Sequence, residues 1–264
     1  MDDAERKAAA LELSRAKLAR RPIRPLTETF GPFGVEDAYA VQQLFVEQLA
    51  PGPNRTLGHK VGLTSVVMQS MLGVSQPDFG HLLESMFYAE SSAVPLSELI
   101  QPKVEPEVAF VLGRELSGPG VTMAHAVRAV EYVLPALEII DSRILDWKIS
   151  LSDTIADNAS SGGVVLGGTA RRLEGLELRT IGCNLWHGGA LAATGAAGAV
   201  LGNPLNSLVW LANTLGSLGE GLMEGEVVLP GSCTVAVPVT AGDEVRAFFA
   251  GLGSVGARFE GSAP

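Results

Sequence analysis

Glu105 and Glu107 stand one residue apart in Pro102-Lys103-Val104-Glu105-Pro106-Glu107-Val108-Ala109-Phe110-Val111-Leu112, a segment that otherwise reads as a buried strand. Side chains at i and i+2 of a strand share a face, so both carboxylates point the same way. Like charges beside Val, Phe and Leu are costly to bury unless something neutralises them, and a divalent cation that takes oxygen ligands does so. Such a site calls for a third acid. Glu138, in Leu134-Pro135-Ala136-Leu137-Glu138-Ile139-Ile140-Asp141, is the candidate, because it too is a lone acid within an apolar run. The competing reading places the glutamates on the solvent side of an edge strand, a position that suits Pro106.

Further residues could serve such a centre. Lys60, in Gly58-His59-Lys60-Val61-Gly62-Leu63-Thr64, lies in a strand whose glycines would let a small ligand approach the backbone, and its ammonium could attract a carboxylate or polarise a carbonyl. A surface lysine is the plainer alternative. Asp78, in Gln76-Pro77-Asp78-Phe79-Gly80-His81, is either a proton carrier beside an aromatic ring or a turn residue bonded to its own backbone. The small polar stretch Asp153 to Gly163 could offer hydroxyl and amide contacts to a ligand or simply cap a turn. Arg143 reads as the partner of a local acid. His59, His81, His125 and His187 lack ligand spacing, and Cys183 and Cys233 belong to no metal motif, so these are taken as structural or exposed.

The elements that must position these groups are of two textures. Residues 3–20 and 36–50 carry Ala, Leu, Glu, Lys and Gln at helical spacing, divided by Gly34 and the Pro-rich segment 21–25. From residue 55 onward, short apolar runs alternate with Gly, Pro and Asp, the pattern of an antiparallel, rolled β core, with helical patterns at 122–133 and 204–218. In the second helix Leu205, Leu208, Val209, Ala212 and Leu215 form one apolar stripe suited to core packing. The division expected is a helical N-terminal segment, 1–54, and a β-roll catalytic domain, 55–264. With 264 residues, 47% of them hydrophobic and a net charge of −10, the chain can bury a sizeable core and is a poor match for nucleic acid or an anionic membrane. No apolar run reaches the ~18 residues that span a bilayer, and the acidic opening lacks a secretory pattern, so a cytoplasmic protein is expected.

Taken in order, Lys60-Val61-Gly62-Leu63-Thr64-Ser65, Gly73-Val74-Ser75-Gln76-Pro77-Asp78-Phe79-Gly80, Glu105-Pro106-Glu107, Pro135-Ala136-Leu137-Glu138 with Asp141-Ser142-Arg143, Ala156-Asp157-Asn158-Ala159-Ser160 and Gly251-Leu252-Gly253-Ser254-Val255 resemble the 2-keto-4-pentenoate hydratase branch of the fumarylacetoacetate hydrolase superfamily. The match runs over about residues 35–260. The resemblance implies an α+β fold with a rolled mixed β-sheet core and a helical N-terminal segment. It implies a Mg²⁺ or Mn²⁺ site on Glu105, Glu107 and Glu138, with Lys60 near the carboxylate end of a chelated, small anionic 2-hydroxydienoate, Asp78 as acid/base and Ser160 as a polar contact. It further implies a homo-oligomer, with association with the next enzyme of the pathway, an aldolase, open. Pro106 departs from the small residue commoner between the two glutamates in that branch; it removes a backbone donor but leaves both carboxylates. The 4-oxalocrotonate decarboxylases share the metal motif, the lysine and the Ala-Asp-Asn-Ala-Ser run, so decarboxylation of a 2-oxo-3-enedioate is the alternative reaction. The aspartate in Gln76-Pro77-Asp78-Phe79-Gly80 favours hydration. A catalytically silent companion subunit is the alternative of another class, disfavoured by the presence of all five residues together.

Overall fold

Helix α1 (Asp3–Ala19) begins at a reciprocal capping box between Asp2 and Glu5 and ends at Arg20, whose left-handed φ of 52° breaks the helix. Helices α2 (Leu26–Thr29) and α3 (Val35–Leu49) follow. The computed structural model describes residues 1–50, 55–66, 69–70, 73–90 and 92–261; the domain boundary expected at residue 54 lies outside these. Strands β1 (Thr56–Gly62), β2 (Asp78–Leu83), β3 (Phe87–Tyr88), β4 (Ala93–Pro95) and β5 (Lys103–Leu112) lead to helix α4 (Met123–Ala129) and strand β6 (Val130–Ile140). Helix α5 (Leu151–Ala156) precedes β7 (Ser161–Leu166), β8 (Gly182–His187) and β9 (Ala190–Ala196). Helix α6 (Pro204–Ser217), β10 (Val227–Leu229), β11 (Val237–Pro238), β12 (Glu244–Phe249) and β13 (Gly253–Glu260) complete the chain.

The strands form two sheets. The larger has the order β2-β1-β10-β5-β6-β7-β3 with β11 joined to β5, and the smaller has the order β4-β13-β12-β8-β9. Strand β2, at one end of the larger sheet, also touches β7 near the other end, so the sheet is rolled. The core is mixed rather than antiparallel, because β1 with β10, β3 with β7 and β4 with β13 pair in parallel. One face of the large sheet packs Val104, Phe110 and Leu137 with Leu185, Ala247 and Val255 of the small sheet and with Leu208, Leu211 and Leu215 of α6. Helix α6 is thus core packing, in keeping with its apolar stripe.

Two element boundaries differ from the periodicity. The helix expected over 122–133 stops at Ala129, because Val130, Val133 and the residues between them are captured by β5 opposite Leu112 to Phe110; tertiary pairing overrides local pattern there. In the apolar run 234–239 only Val237 and Pro238 form a strand. Strand β5 is central, not an edge. Its neighbours on one side are β10 at Phe110 and Val111 and β11 at Lys103 and Val104, with Pro106 in the break between them. The proline sits where no continuous ladder needs its missing N–H, and its own carbonyl accepts from Cys233 N at 3.0 Å.

The N-terminal helices are fastened to the elements that carry the site. Ala9, Ala10, Leu13, Val41 and Phe45 pack with Ile155 and Ala156 of α5. Gln42 Nε2, buried in α3, donates to the carbonyls of Phe79 and Ile155, each at 2.8 Å, and Tyr39 stacks on Phe79 with ring centroids 4.6 Å apart.

Candidate active site

Strand register gathers the site. Glu105 of β5 lies directly opposite Glu138 of β6, and Glu107 opposite Ala136. Lys60 pairs with Leu229 and Gly80, and Gly62 with Asp78. With a side-chain period of 2, Asp78, Lys60, Glu105, Glu107 and Glu138 all share the face of the rolled sheet opposite the main core. A small apolar cluster of Leu82, Ala109, Ala136, Val164 and Leu229 shares it with them. Like charges placed directly opposite destabilise a strand pair. Here they are also removed from water, since Glu107 and Glu138 are at most 1% exposed and only Glu105 is partly open.

The three carboxylates each offer an oxygen within 4.8 Å of the others. Glu107 Oε2 accepts from Gly231 N at 2.8 Å and Glu138 Oε1 faces the Lys60 ammonium, but Glu107 Oε1 and Glu138 Oε2 make no hydrogen bond among the described residues. Burial, and then Glu138, pushes the Glu105 carboxyl up to about 7. Burial likewise lifts Glu107, helped by its two neighbouring glutamates, and lifts Glu138 in spite of Lys60. Buried lone pairs converging without donors are what a hard divalent cation requires, and an all-carboxylate donor set fits Mg²⁺ or Mn²⁺.

Lys60 is a buried internal cation and not a surface lysine. Its Nζ is 3.2 Å from Glu138 Oε1 and donates to the Ala159 carbonyl at 3.0 Å. Burial works against the ammonium, but Glu138, Asp78, Glu105 and Glu107 outweigh it and raise its affinity for the proton. The glycines around it serve protein packing more than ligand approach: a Cβ on Gly62 would stand 2.2 Å from Asp78 Oδ1. Asp78 opens strand β2 and is not a turn residue. Thr154 Oγ1 donates to its Oδ2 at 3.2 Å, while its Oδ1 makes no hydrogen bond among the described residues. Burial raises the Asp78 carboxyl, with Lys60 and Thr154 opposing.

Ser160 closes a turn in which Asn158, Ala159 and Ser160 are all left-handed, with φ of 53°, 48° and 54°. Non-glycine residues pay about 1–2 kcal/mol each for that conformation, so the surroundings must enforce it. Asn158 is clamped to the backbone of His81 at 2.7 and 2.9 Å, and Asp141 N holds the Ser160 carbonyl at 2.8 Å. Arg143 braces the turn from below through Asp157 and the Ser161 carbonyl, which fulfils the expectation of a local acid partner. The result aims the Ala159 carbonyl at Lys60 and leaves the buried Ser160 hydroxyl without a partner. The Gly231 N–H, Thr154 and the Ala159 carbonyl do not stand out in the sequence. The structure shows why Gly231 is glycine: its φ of 128° admits little else, and a Cβ there would meet Thr64 Oγ1 at 2.0 Å.

A cavity of about 820 Å³ lies elsewhere, on the small sheet beside Trp186, Arg246, Phe248 and Arg258. Donor chemistry, not cavity size, locates the centre.

A rolled mixed sheet with three converging carboxylates on its enclosed face defines the class, and the chain belongs to the fumarylacetoacetate (FAA) hydrolase family, whose C-terminal model matches residues 58–260. The chain is 46% identical over 260 residues to the 2-keto-4-pentenoate hydratase of Paraburkholderia xenovorans LB400, covering 98% of this chain and 97% of that one. The same identity and coverage hold for 2-keto-4-pentenoate hydratase 3 of Pseudomonas putida. The solved structure of 4-oxalocrotonate decarboxylase from Pseudomonas putida G7, complexed with magnesium and adipate, superposes with a TM-score of 0.94 at 36% identity over 98% of both chains.

Proposed function

We infer that this chain is a metal-dependent hydro-lyase that converts 2-hydroxypenta-2,4-dienoate, or a close analogue, into 4-hydroxy-2-oxopentanoate in the breakdown of aromatic compounds. The observation that carries this reading is the buried trio of under-bonded carboxylates on the same sheet face as Lys60 and Asp78. Glu105, Glu107 and Glu138 would hold Mg²⁺ or Mn²⁺, which when bound supplies a Lewis acid for the negative charge that gathers on a 2-oxo acid.

The side chains account for the rest. Lys60, fixed between Glu138 and the Ala159 carbonyl, presents its ammonium to the substrate carboxylate. Asp78, whose carboxyl burial raises toward holding a proton, delivers one to C5 of the dienoate as the 2-hydroxyl proton leaves to solvent, giving the 2-oxo-3-enoate. The carboxylate so formed takes a proton from the water that adds at C4, passes it to C3, and is reprotonated from the solvent that received the 2-hydroxyl proton. Its unpaired Oδ1 is the atom free for these transfers. The Ser160 hydroxyl, buried and unpartnered, is a polar contact for the substrate.

The rival reaction, decarboxylation of a 2-oxo-3-enedioate, draws support from the structural likeness to the decarboxylase. An assay of both substrates with and without Mg²⁺ separates them. Metal-dependent turnover of the dienoate with little release of CO₂ from the enedioate is expected; full activity after exhaustive chelation, or preference for the enedioate, overturns the reading.

We further propose that residues 1–54 are a helical segment on a catalytic unit spanning 55–264, and that the protein is a cytoplasmic homo-oligomer able to associate with the aldolase that consumes its product. The exposed Trp186, Leu191 and Phe248 on the small sheet support an assembly surface.

A further inference from the structure

The outer face of the strands that carry Lys60 and Asp78 holds a second convergence of ligating groups. His59 of β1 and His81 of β2 stand directly opposite each other, with ring centroids 4.9 Å apart. Glu220, exposed in the turn after α6, reaches the same place. One imidazole nitrogen from each histidine and one Glu220 oxygen lie within 4.8 Å of one another. Behind His59, Glu226 places Oε2 3.4 Å from Nδ1, yet neither atom makes a hydrogen bond. His59 is 3% exposed, and its Nδ1 faces the Glu226 carboxylate.

We propose that His59, His81 and Glu220 form a second metal site, for a divalent transition ion of the Zn²⁺ type, distinct from the carboxylate centre on the other face of the sheet. Two imidazoles and one carboxylate suit Zn²⁺, and imidazole also suits Co²⁺ and Ni²⁺, whereas Mg²⁺ selects oxygen. Burial, and then His59, holds His81 down to about 3, so its ring is neutral and available. Glu226 is placed to orient the His59 ring, as carboxylates behind metal-bound histidines do. Exposed Glu220 gives the ion a route from solvent. Bound there, the ion ties β1 and β2 to the turn after α6 and stiffens the two strands whose enclosed face holds Lys60 and Asp78.

The test is a titration of metal-free protein with Zn²⁺ while excess Mg²⁺ occupies the carboxylate centre, read by competition with a chromophoric chelator and by the visible absorption of Co²⁺ in parallel. One Zn²⁺ per chain is expected under these conditions, accompanied by a higher melting temperature. His81→Gln and Glu220→Gln should each weaken it about 10-fold or more, while Glu107→Gln should leave it intact. Glu220 is exposed, so its variant keeps the fold and decides the matter even if His81→Gln does not. Absence of Zn²⁺ binding in the presence of Mg²⁺, unchanged affinity in Glu220→Gln, or loss of the ion in Glu107→Gln overturns the proposal.

Discussion

Two clusters of buried charge lie close together in this protein and are built in opposite ways. Around Arg143 and Asp157, both at most 1% exposed, nearly every polar atom has a partner: the guanidinium binds the Asp157 carboxylate, the Asp157 carbonyl and the Ser161 carbonyl, while Ser142 Oγ and Arg143 N also donate to the carboxylate. Around Glu105, Glu107 and Glu138, acids outnumber the buried Lys60 ammonium, and Glu107 Oε1 and Glu138 Oε2 have no hydrogen-bond donor among the described residues. The first cluster is complete and holds a left-handed turn in place. The second is incomplete, and burial without satisfaction is what marks a site that takes a cation. Buried charge alone therefore does not signal function; the unpaired lone pair does.

The largest expected effect tests the acid/base assignment. Asp78→Asn keeps the size of the side chain and can still accept from Thr154, so fold and metal binding should survive, while dienoate hydration falls about 10²–10⁴-fold. Any residual decarboxylation should fall less. Parental hydration in this variant would make Asp78 a structural residue like Asp157.

The contrast between the clusters predicts opposite outcomes from charge removal. Arg143→Met strands a buried carboxylate and should cost about 3–5 kcal/mol in denaturant unfolding, with no recovery on adding Mg²⁺. Glu107→Gln should do the reverse, leaving the metal-free melting temperature near the parent's while metal affinity collapses, because a crowded acid is relieved and the amide oxygen can still accept from Gly231. If both variants unfold alike, the distinction between a finished and an unfinished cluster is wrong.

Lys60→Met sits between the two. The methylene body stays, but the one cation facing Glu138 is lost, so the metal-free protein should melt earlier, added Mg²⁺ should restore part of the loss, and KM for the dienoate should rise more than kcat falls. Unchanged kinetics at low ionic strength would remove Lys60 from substrate capture.

The smallest effect is in pH. Burial pushes the Glu105 carboxyl up to about 7 and lifts its neighbours Glu107 and Glu138, so above the usual carboxylate value the native cluster holds protons that the unfolded chain has released. That contribution to stability is complete below the unfolded pKa of roughly 4.3 and disappears as pH rises through about 7. The melting temperature of metal-free protein should therefore decline between about pH 5 and 8, and both Glu105→Gln and saturating Mg²⁺ should flatten the slope. A rising melting temperature over that interval would show that the three-glutamate cluster holds no such protons.

Much of the centre is legible in the order of residues alone. The spacing of Glu105 and Glu107 puts both on one strand face through backbone geometry, and Glu138, Lys60 and Asp78 stand out as charges in apolar or glycine-flanked runs. The helices at α1, α3 and α6 follow from periodicity. What local pattern misreads is set by pairing: Val130 to Val133 continue a helical pattern but belong to a strand, and Pro106 suggests an edge although β5 is central.

By itself, then, the sequence determined which side chains were chemically out of place, because spacing along a strand or helix is a property of the local backbone. Only the tertiary structure decided what each of them meets. The pairing of Glu105 with Glu138, the approach of Gly231 to Glu107, the left-handed turn that turns Ala159 toward Lys60, and the meeting of His59 with His81 all join residues far apart in the chain. Such contacts are fixed by strand register and by the rolling of the sheet, and the charge states that follow depend on burial, which no stretch of sequence carries alone.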